Sequence, residues 1–145
     1  MSQDPLKDIQ DAIGKALTAH PYFSGIPVIT ERKGDVMNKI AIALGKLGIC
    51  VVVQVLTGRT ESMGAGAYSL DLKVGLTVTE NVPINQGNTG SKKPASEMVA
   101  MILCLLNPNR GPVPAYCTDF VLVNDSGGLL IYLINGKAAA GFQLT

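Results

Sequence analysis

The stretch YSLDLKVGLTV, residues 68–78, alternates apolar and polar side chains along its whole length. Successive side chains of a β-strand point to opposite faces, so this alternation predicts one long strand with a dry face and a wet face. The strand continues into TENVPIN, residues 79–85, and then into the polar loop QGNTGSKK, residues 86–93. Because this loop contains no Cys, His or carboxylate, we expect a surface for contact rather than for bond chemistry.

The composition is that of a single folded domain. The chain has 145 residues, of which 47% are hydrophobic and 16% are charged. This balance supplies a real core and argues against disorder. A net charge of +1 and an aromatic content of 5% without Trp argue against the basic field and the stacking platform of nucleic-acid-binding proteins. We therefore expect one domain over residues 1–145 and no sequence-specific nucleic-acid partner.

The sequence offers no signal for a membrane or a metal. Its longest apolar runs, residues 49–53 and 98–106, are far shorter than the roughly 20 residues that span a bilayer. The N-terminus lacks the basic and apolar regions of a signal peptide. Three cysteines are expected as buried, reduced thiols. With His20 as the only histidine, we expect no metal site and no cofactor.

The first half of the chain predicts two helices and two further strands. A helix starts at Pro5, capped by Ser2 or Asp4, and ends at the pair His20-Pro21. A short strand over residues 26–31 contains Pro27, which places it at an edge or leaves it partly paired. Asp35 caps a second helix that Gly48 ends. Residues 49–56 then predict a strand that is buried on both faces.

The second half of the chain predicts a third helix and three strands. Residues 57–67, rich in glycine, are expected as a long flexible connection before the alternating strand. A helix starts near Pro94 and stops within residues 107–112. Strands follow at residues 120–123, 129–134 and 138–144, and the last two are expected to form a hairpin at Asn135-Gly136. The predicted fold is α+β, with a mainly antiparallel mixed sheet packed against two to three helices.

No motif for catalysis emerges from the sequence. The loop around Gly87 and Gly90 differs from a phosphate-binding loop, because only two residues separate these glycines and Ser91 precedes Lys92. The carboxylates, such as Glu61 and Asp71, have no spacing that proposes an acid–base pair. We therefore expect no enzyme. A small nucleotide- or metabolite-binding protein that uses residues 86–93 remains an alternative.

The sequence resembles small neck and tail proteins of phage virions. The resemblance lies in FSGIPVITE at residues 23–31, in Gly34-Asp35 with the helix that ends in GKLGI at residues 45–49, and in TENVPIN before the polar loop and the apolar helix. The order of elements is similar to that of the tail-terminator (tail-completion) family of long-tailed bacteriophages. The resemblance covers most of the chain and rests on element order rather than on a catalytic signature.

This resemblance implies an assembly protein without turnover. Members of such a family form a ring, typically a hexamer, that caps the tail tube, stops its polymerisation and offers a surface for head joining. The implied partners are other copies of the chain, a tail-tube protein and a head-connector or neck protein. The implied location is the tail or neck of a virion that is assembled in the host cytoplasm. A head–tail joining protein, or another neck or tube-related protein, is the alternative within the same class.

A ring also indicates where contacts are expected. Its interface joins one patch to a different patch of the next copy. Residues 58–66 and 86–93, expected as flexible segments beyond the core, are the candidates for such contacts. The individual candidates for subunit or tube contact, which would otherwise be solvated charges, are Arg59, Glu61, Asp71, Lys73, Lys92 and Lys93.

Overall fold

The computed structural model describes residues 4–30, 35–108 and 115–143. In chain order its elements are α1 (Pro5–Thr18), a 3-10 turn (Pro21–Phe23), β1 (Val28–Ile29), α2 (Val36–Lys46), β2 (Ile49–Gly64), β3 (Ala67–Asn81), α3 (Val82–Asn85), α4 (Ala95–Leu105), β4 (Ala115–Asn124) and β5 (Leu129–Gln143). The expected ends at Glu31 and Leu144, and most of the helix stop at residues 107–112, lie outside the described residues.

The strands form one five-stranded sheet in the order β1-β2-β3-β5-β4. β1 runs parallel to β2, and all other neighbours are antiparallel. The predicted α+β fold with a mainly antiparallel mixed sheet is therefore confirmed. The strand that contains Val28 and Ile29 lies at one edge, as the proline before it predicts.

The alternating strand β3 organises the core as its sequence predicts from Leu72 onward, whereas Tyr68, at the start of the predicted dry face, is exposed. Leu72, Val74, Leu76 and Val78 are buried together with residues of α1 and α4, which cover this face of the sheet. Burying each such side chain contributes about 1.5–3 kcal/mol relative to leaving it in water. The helix α2 packs on the opposite face, where a smaller apolar cluster forms over Cys50.

Two helix boundaries follow the expected local rules. The carboxylate of Asp4 accepts a hydrogen bond from the Lys7 amide at 3.0 Å and caps α1, and Pro5 stands at its first position. Gly48 follows α2 with φ of +75°, and a Cβ there would collide with the backbone of Asn85. Glycine is therefore required both by its conformation and by this close approach.

The expectation of a flexible connection over residues 57–67 is wrong. β2 continues to Gly64 and pairs with β3 along its whole length, so Gly64 lies opposite Ala67. Ala65 and Gly66 form a two-residue turn with φ values of +51° and +77°, the left-handed conformation that suits a tight hairpin. All residues from 56 to 66 are exposed. The strand therefore lacks the apolar alternation by which sequence reveals a half-buried strand.

The expected hairpin at Asn135-Gly136 is also wrong. β5 runs without interruption from Leu129 to Gln143 between β3 and β4. Gly136 lies opposite Val74 on one side and Cys117 on the other. A Cβ at Gly136 would meet the Tyr116 carbonyl oxygen at 2.7 Å. This glycine therefore permits close packing within the sheet rather than a turn.

Candidate contact surface

One end of the sheet projects beyond the helices as an arm. We define the arm as residues 57–71 of the β2–β3 hairpin together with residues 138–143 of β5. Residues 138–143 pair with residues 67–72 of β3, which makes most of the arm three strands wide. Of its residues, those from Thr57 to Gly66 are all exposed. The arm therefore presents strand surface that the subunit itself leaves uncovered.

Four of the candidate residues share one face of the sheet, three of them on the arm and Lys73 next to it. Arg59 pairs with Asp71, and Lys73 pairs with Thr57 on the neighbouring strand. Directly opposed residues of antiparallel strands point to the same side, and so do residues two apart along a strand. Arg59, Asp71 and Lys73, with Glu61 two residues further along β2, therefore point away from α1 and α4. The structure therefore brings these four side chains together on one face, which the sequence alone did not predict.

Two further residues complete this surface. Lys137 lies directly opposite Lys73 on β5, and Asp119 lies on β4 opposite Asn135. Sequence reasoning missed both, because the expected hairpin put Lys137 in a turn and no pattern linked Asp119 to the arm. We call the set the charged face; it consists of Arg59, Glu61, Asp71, Lys73, Asp119 and Lys137. All but Glu61 line a cleft of about 630 Å³.

The side chains of the three cations of the charged face have no partner within the described part of the subunit. Lys73 and Lys137 are a directly opposed like-charge pair, which is unfavourable within a sheet. Among the described residues, neither these lysines nor Arg59 forms a side-chain hydrogen bond or an ion pair, and the one described salt bridge joins Lys7 to Asp11 on α1. These charges are therefore available to groups outside the subunit.

The two lysines at the end of the polar loop lie elsewhere and differ from each other. Lys92 is exposed, with φ of +62°. Lys93 is half-buried, its ammonium group donates to the Tyr22 carbonyl, and its nitrogen lies 4.6 Å from the centroid of the Tyr22 ring. Burial, with a smaller contribution from the Glu97 carboxylate, raises the pKa of the Tyr22 hydroxyl. The expectation that Lys93 is a free contact residue in an exposed loop is therefore wrong.

A buried hydrogen-bond network holds this loop against the core. The carboxylate of Glu80, which is only 2% exposed, accepts from the Ala95 amide at 2.9 Å and from the Asn85 side chain at 2.7 Å. Gln86 donates to the same carboxylate at 3.3 Å, and Asn85 also donates to the Lys93 carbonyl at 2.9 Å. Glu80 thus binds the free Ala95 amide at the start of α4, where a carboxylate is favoured. Residues 86–93 are therefore fastened rather than reaching beyond the core.

The backbone hydrogen bonds of residues 86–93 bear on the alternative that this loop binds a nucleotide. A phosphate loop needs free backbone amides, but those of this loop are engaged internally at 2.9–3.3 Å. The engaged amides belong to Gly87, Gly90, Ser91, Lys92 and Lys93. The geometry therefore does not favour the nucleotide alternative at residues 86–93.

The three cysteine thiols differ in their surroundings. Burial raises the pKa of both the Cys50 and Cys117 thiols to about 11, which keeps them protonated at neutral pH. Cys104 lies exposed on α4, against the expectation that all three thiols are buried. Within residues 4–30, 35–108 and 115–143, no group of three or more Cys, His, Asp or Glu side chains has a metal-binding arrangement.

Comparison with known proteins gives no family assignment. No protein-family model matches this chain, and no curated protein matches it. None of the helices in the described part of the chain has the length and apolar character to cross a bilayer. The functional interpretation therefore rests on the arm, its charged face and the resemblance in element order.

Proposed function

We propose that this chain is a virion assembly protein of a long-tailed bacteriophage, a tail terminator that forms a ring on the end of the tail tube. In this role its activity is binding without turnover. Its partners are further copies of itself, in a ring that is a hexamer as the family resemblance implies, together with a tail-tube protein below the ring and a head-connector or neck protein above it.

The observation that carries the proposal is the arm with its charged face. The exposed side chains of Arg59, Lys73 and Lys137 have no partner among the described residues of the subunit. An isolated subunit gains nothing from a directly opposed pair of lysines, whereas a surrounding acidic surface would stabilise both. A subunit that extends a polar, structured arm beyond its core suits heterologous contacts in a ring.

Reversing the positive charges of the charged face by mutation tests the proposal. We expect the triple variant R59E/K73E/K137E to fold normally, because exposed charges contribute little to subunit stability. It should fail to cap tails, so the phage that carries it makes overlong tails in electron micrographs. The matched control is Lys92→Glu, an exposed lysine outside the charged face, which should leave tail length unchanged.

Two other results would contradict the proposal. Tail-less heads beside free tails of normal length would indicate a head–tail joining protein instead. Light scattering that shows a strict monomer at every concentration and in mixtures with tail tubes would exclude ring capping altogether.

A further inference from the structure

At both edges of the sheet, a stretch of backbone lacks a strand partner among the described residues. β1 pairs only with Val51 and Val52 of β2, and the Gln10 side chain donates to the Val53 carbonyl at 2.8 Å. Within the described residues, the outer side of β2 has no strand partner from Gln54 to Gly64. An unpaired strand edge offers a row of amides and carbonyls to another chain.

The opposite edge of the same sheet is formed by β4. The Cys117 amide donates to the Leu106 carbonyl at 2.7 Å, but no described strand pairs with the outer side of β4 beyond it. Four consecutive apolar side chains there are 42–59% exposed: Phe120, Val121, Leu122 and Val123. Neither lysine nor proline interrupts them, although such residues commonly block exposed edges. This edge therefore has the character of a surface that is covered in an assembly.

The strands β2 and β4 run in directions that allow them to pair between two copies. β2 runs antiparallel to β3, β3 to β5 and β5 to β4, so β4 is antiparallel to β2. A second copy, related by rotation about an axis along the strands, therefore offers its β2 in antiparallel orientation to the first copy's β4. Since the two edges differ, this contact is heterologous and leaves a free edge at each end for further copies, until a ring closes.

Charge and shape select a register for the pairing. Asp119 and Arg59 point to the same side of the sheet and carry opposite charges, and Arg59 has no described partner. When they are placed opposite each other, Phe120 comes to lie opposite Gly58, which has no side chain of its own, and next to the Leu72 side chain that lies over this glycine. Val121 then lies opposite Thr57.

In this register, successive copies are shifted relative to one another along the direction of the strands. Within one subunit Asp119 lies in the row of Asn135 and Gly75, whereas Arg59 lies in the row of Asp71. Asp71 stands four residues before Gly75 along β3. A sheet that closes on itself requires such a shift in register.

We propose that the outer edge of β4 in one copy pairs with the outer edge of the arm in the next, with Asp119 opposite Arg59, so that the sheet continues from subunit to subunit. The inference rests on the proposed function in that it names the surfaces that join the ring. Its occupant is a second copy of this chain.

The first test is disulfide trapping between copies. The variant T57C/V121C, in a Cys104→Ser background that removes the exposed thiol, should form a ladder of cross-linked multimers on mild oxidation. Within one subunit these positions lie three strands apart, about 14 Å at the usual strand spacing, too far for an internal bond. The single variants T57C and V121C serve as controls and should give no ladder.

The second test is a charge exchange between copies. R59D alone and D119R alone should each fail to assemble, because each places like charges opposite one another. A 1:1 mixture should assemble, since every interface in an alternating ring then joins opposite charges. An interaction within one subunit would not be restored by mixing, so this result separates the two explanations.

The outcomes also separate the inference from the proposed function. Rings on tail tubes without a cross-linked ladder, and without rescue in the mixture, would overturn the edge pairing while the terminator proposal stands. Dimers trapped by V121C alone would show that β4 pairs with itself and would equally overturn it. A ladder in a protein that never caps tails would support the edge pairing and contradict the terminator proposal.

Discussion

The arm and the loop of residues 86–93 have similar compositions, yet the chain holds them in opposite ways. Both contain glycine, polar side chains and two or more charges. The arm is paired strand, and its residues from Thr57 to Gly66 are all exposed. The loop is irregular, but the buried Asn85 and Glu80 bind it to the core. The comparison teaches that irregular backbone is not the same as free backbone, and that a contact surface can be built from regular strand.

The largest expected effect concerns the carboxylate beneath the loop. Replacing Glu80 by Ala leaves the Ala95 amide, Asn85 and Gln86 without their acceptor, and each buried donor without a partner costs about 1–3 kcal/mol. We expect a loss of about 3 kcal/mol or more in the free energy of unfolding, measured by urea denaturation.

The matched change on the arm is Glu61→Ala. An exposed carboxylate without a described partner should change stability by less than about 0.5 kcal/mol. If Glu80→Ala proved as mild as Glu61→Ala, the distinction between a fastened loop and a solvated arm would be lost.

The two neighbouring lysines sharpen the comparison at single-residue scale. Lys93→Ala removes a charged hydrogen bond to the Tyr22 carbonyl and a cation–π contact, so we expect a loss of about 1 kcal/mol in a partly exposed site. Lys92→Ala should lie within about 0.5 kcal/mol of the parent chain. Thermal denaturation of the two variants side by side checks this. Equal effects would mean that Lys93 is as free as Lys92.

The smallest expected effect lies in the turn of the arm. Ala65 has φ of +51°, which costs an L-residue about 1–2 kcal/mol relative to glycine. Glycine loses more entropy on folding, so Ala65→Gly should raise stability by about 0.5 kcal/mol. Gly64→Ala, at φ of +85°, should lower it and serves as the opposing control. If both changes were neutral, the tight hairpin turn would be refuted.

The parts of the fold that sequence predicted are those with one face in water and one in the core. β3, α1 and α4 carry such patterns, and their positions follow the prediction closely. The arm was not predicted, because a strand that is exposed on both faces does not need alternating apolar and polar residues. The Asn135-Gly136 signal misled because it reports local turn preference, whereas pairing with both β3 and β4 holds these residues in a strand.

The candidate surface was predictable only in part. Arg59, Glu61, Asp71 and Lys73 were found as charges near the long strand, but their common face depends on the register of β2 against β3. Lys93 was misassigned because its partner, Tyr22, lies 71 residues away in the chain. Such distant pairings leave no local pattern in a single sequence.

Amide hydrogen exchange of the free subunit and of the tail-bound ring tests the central claim most directly. The account predicts that amides of residues 55–59 and 119–123 gain protection when the ring forms, because these edges then pair between copies. It predicts no change in residues 86–93, whose amides are already bonded within the subunit. Protection gained in the loop but absent from both strand edges would contradict the account.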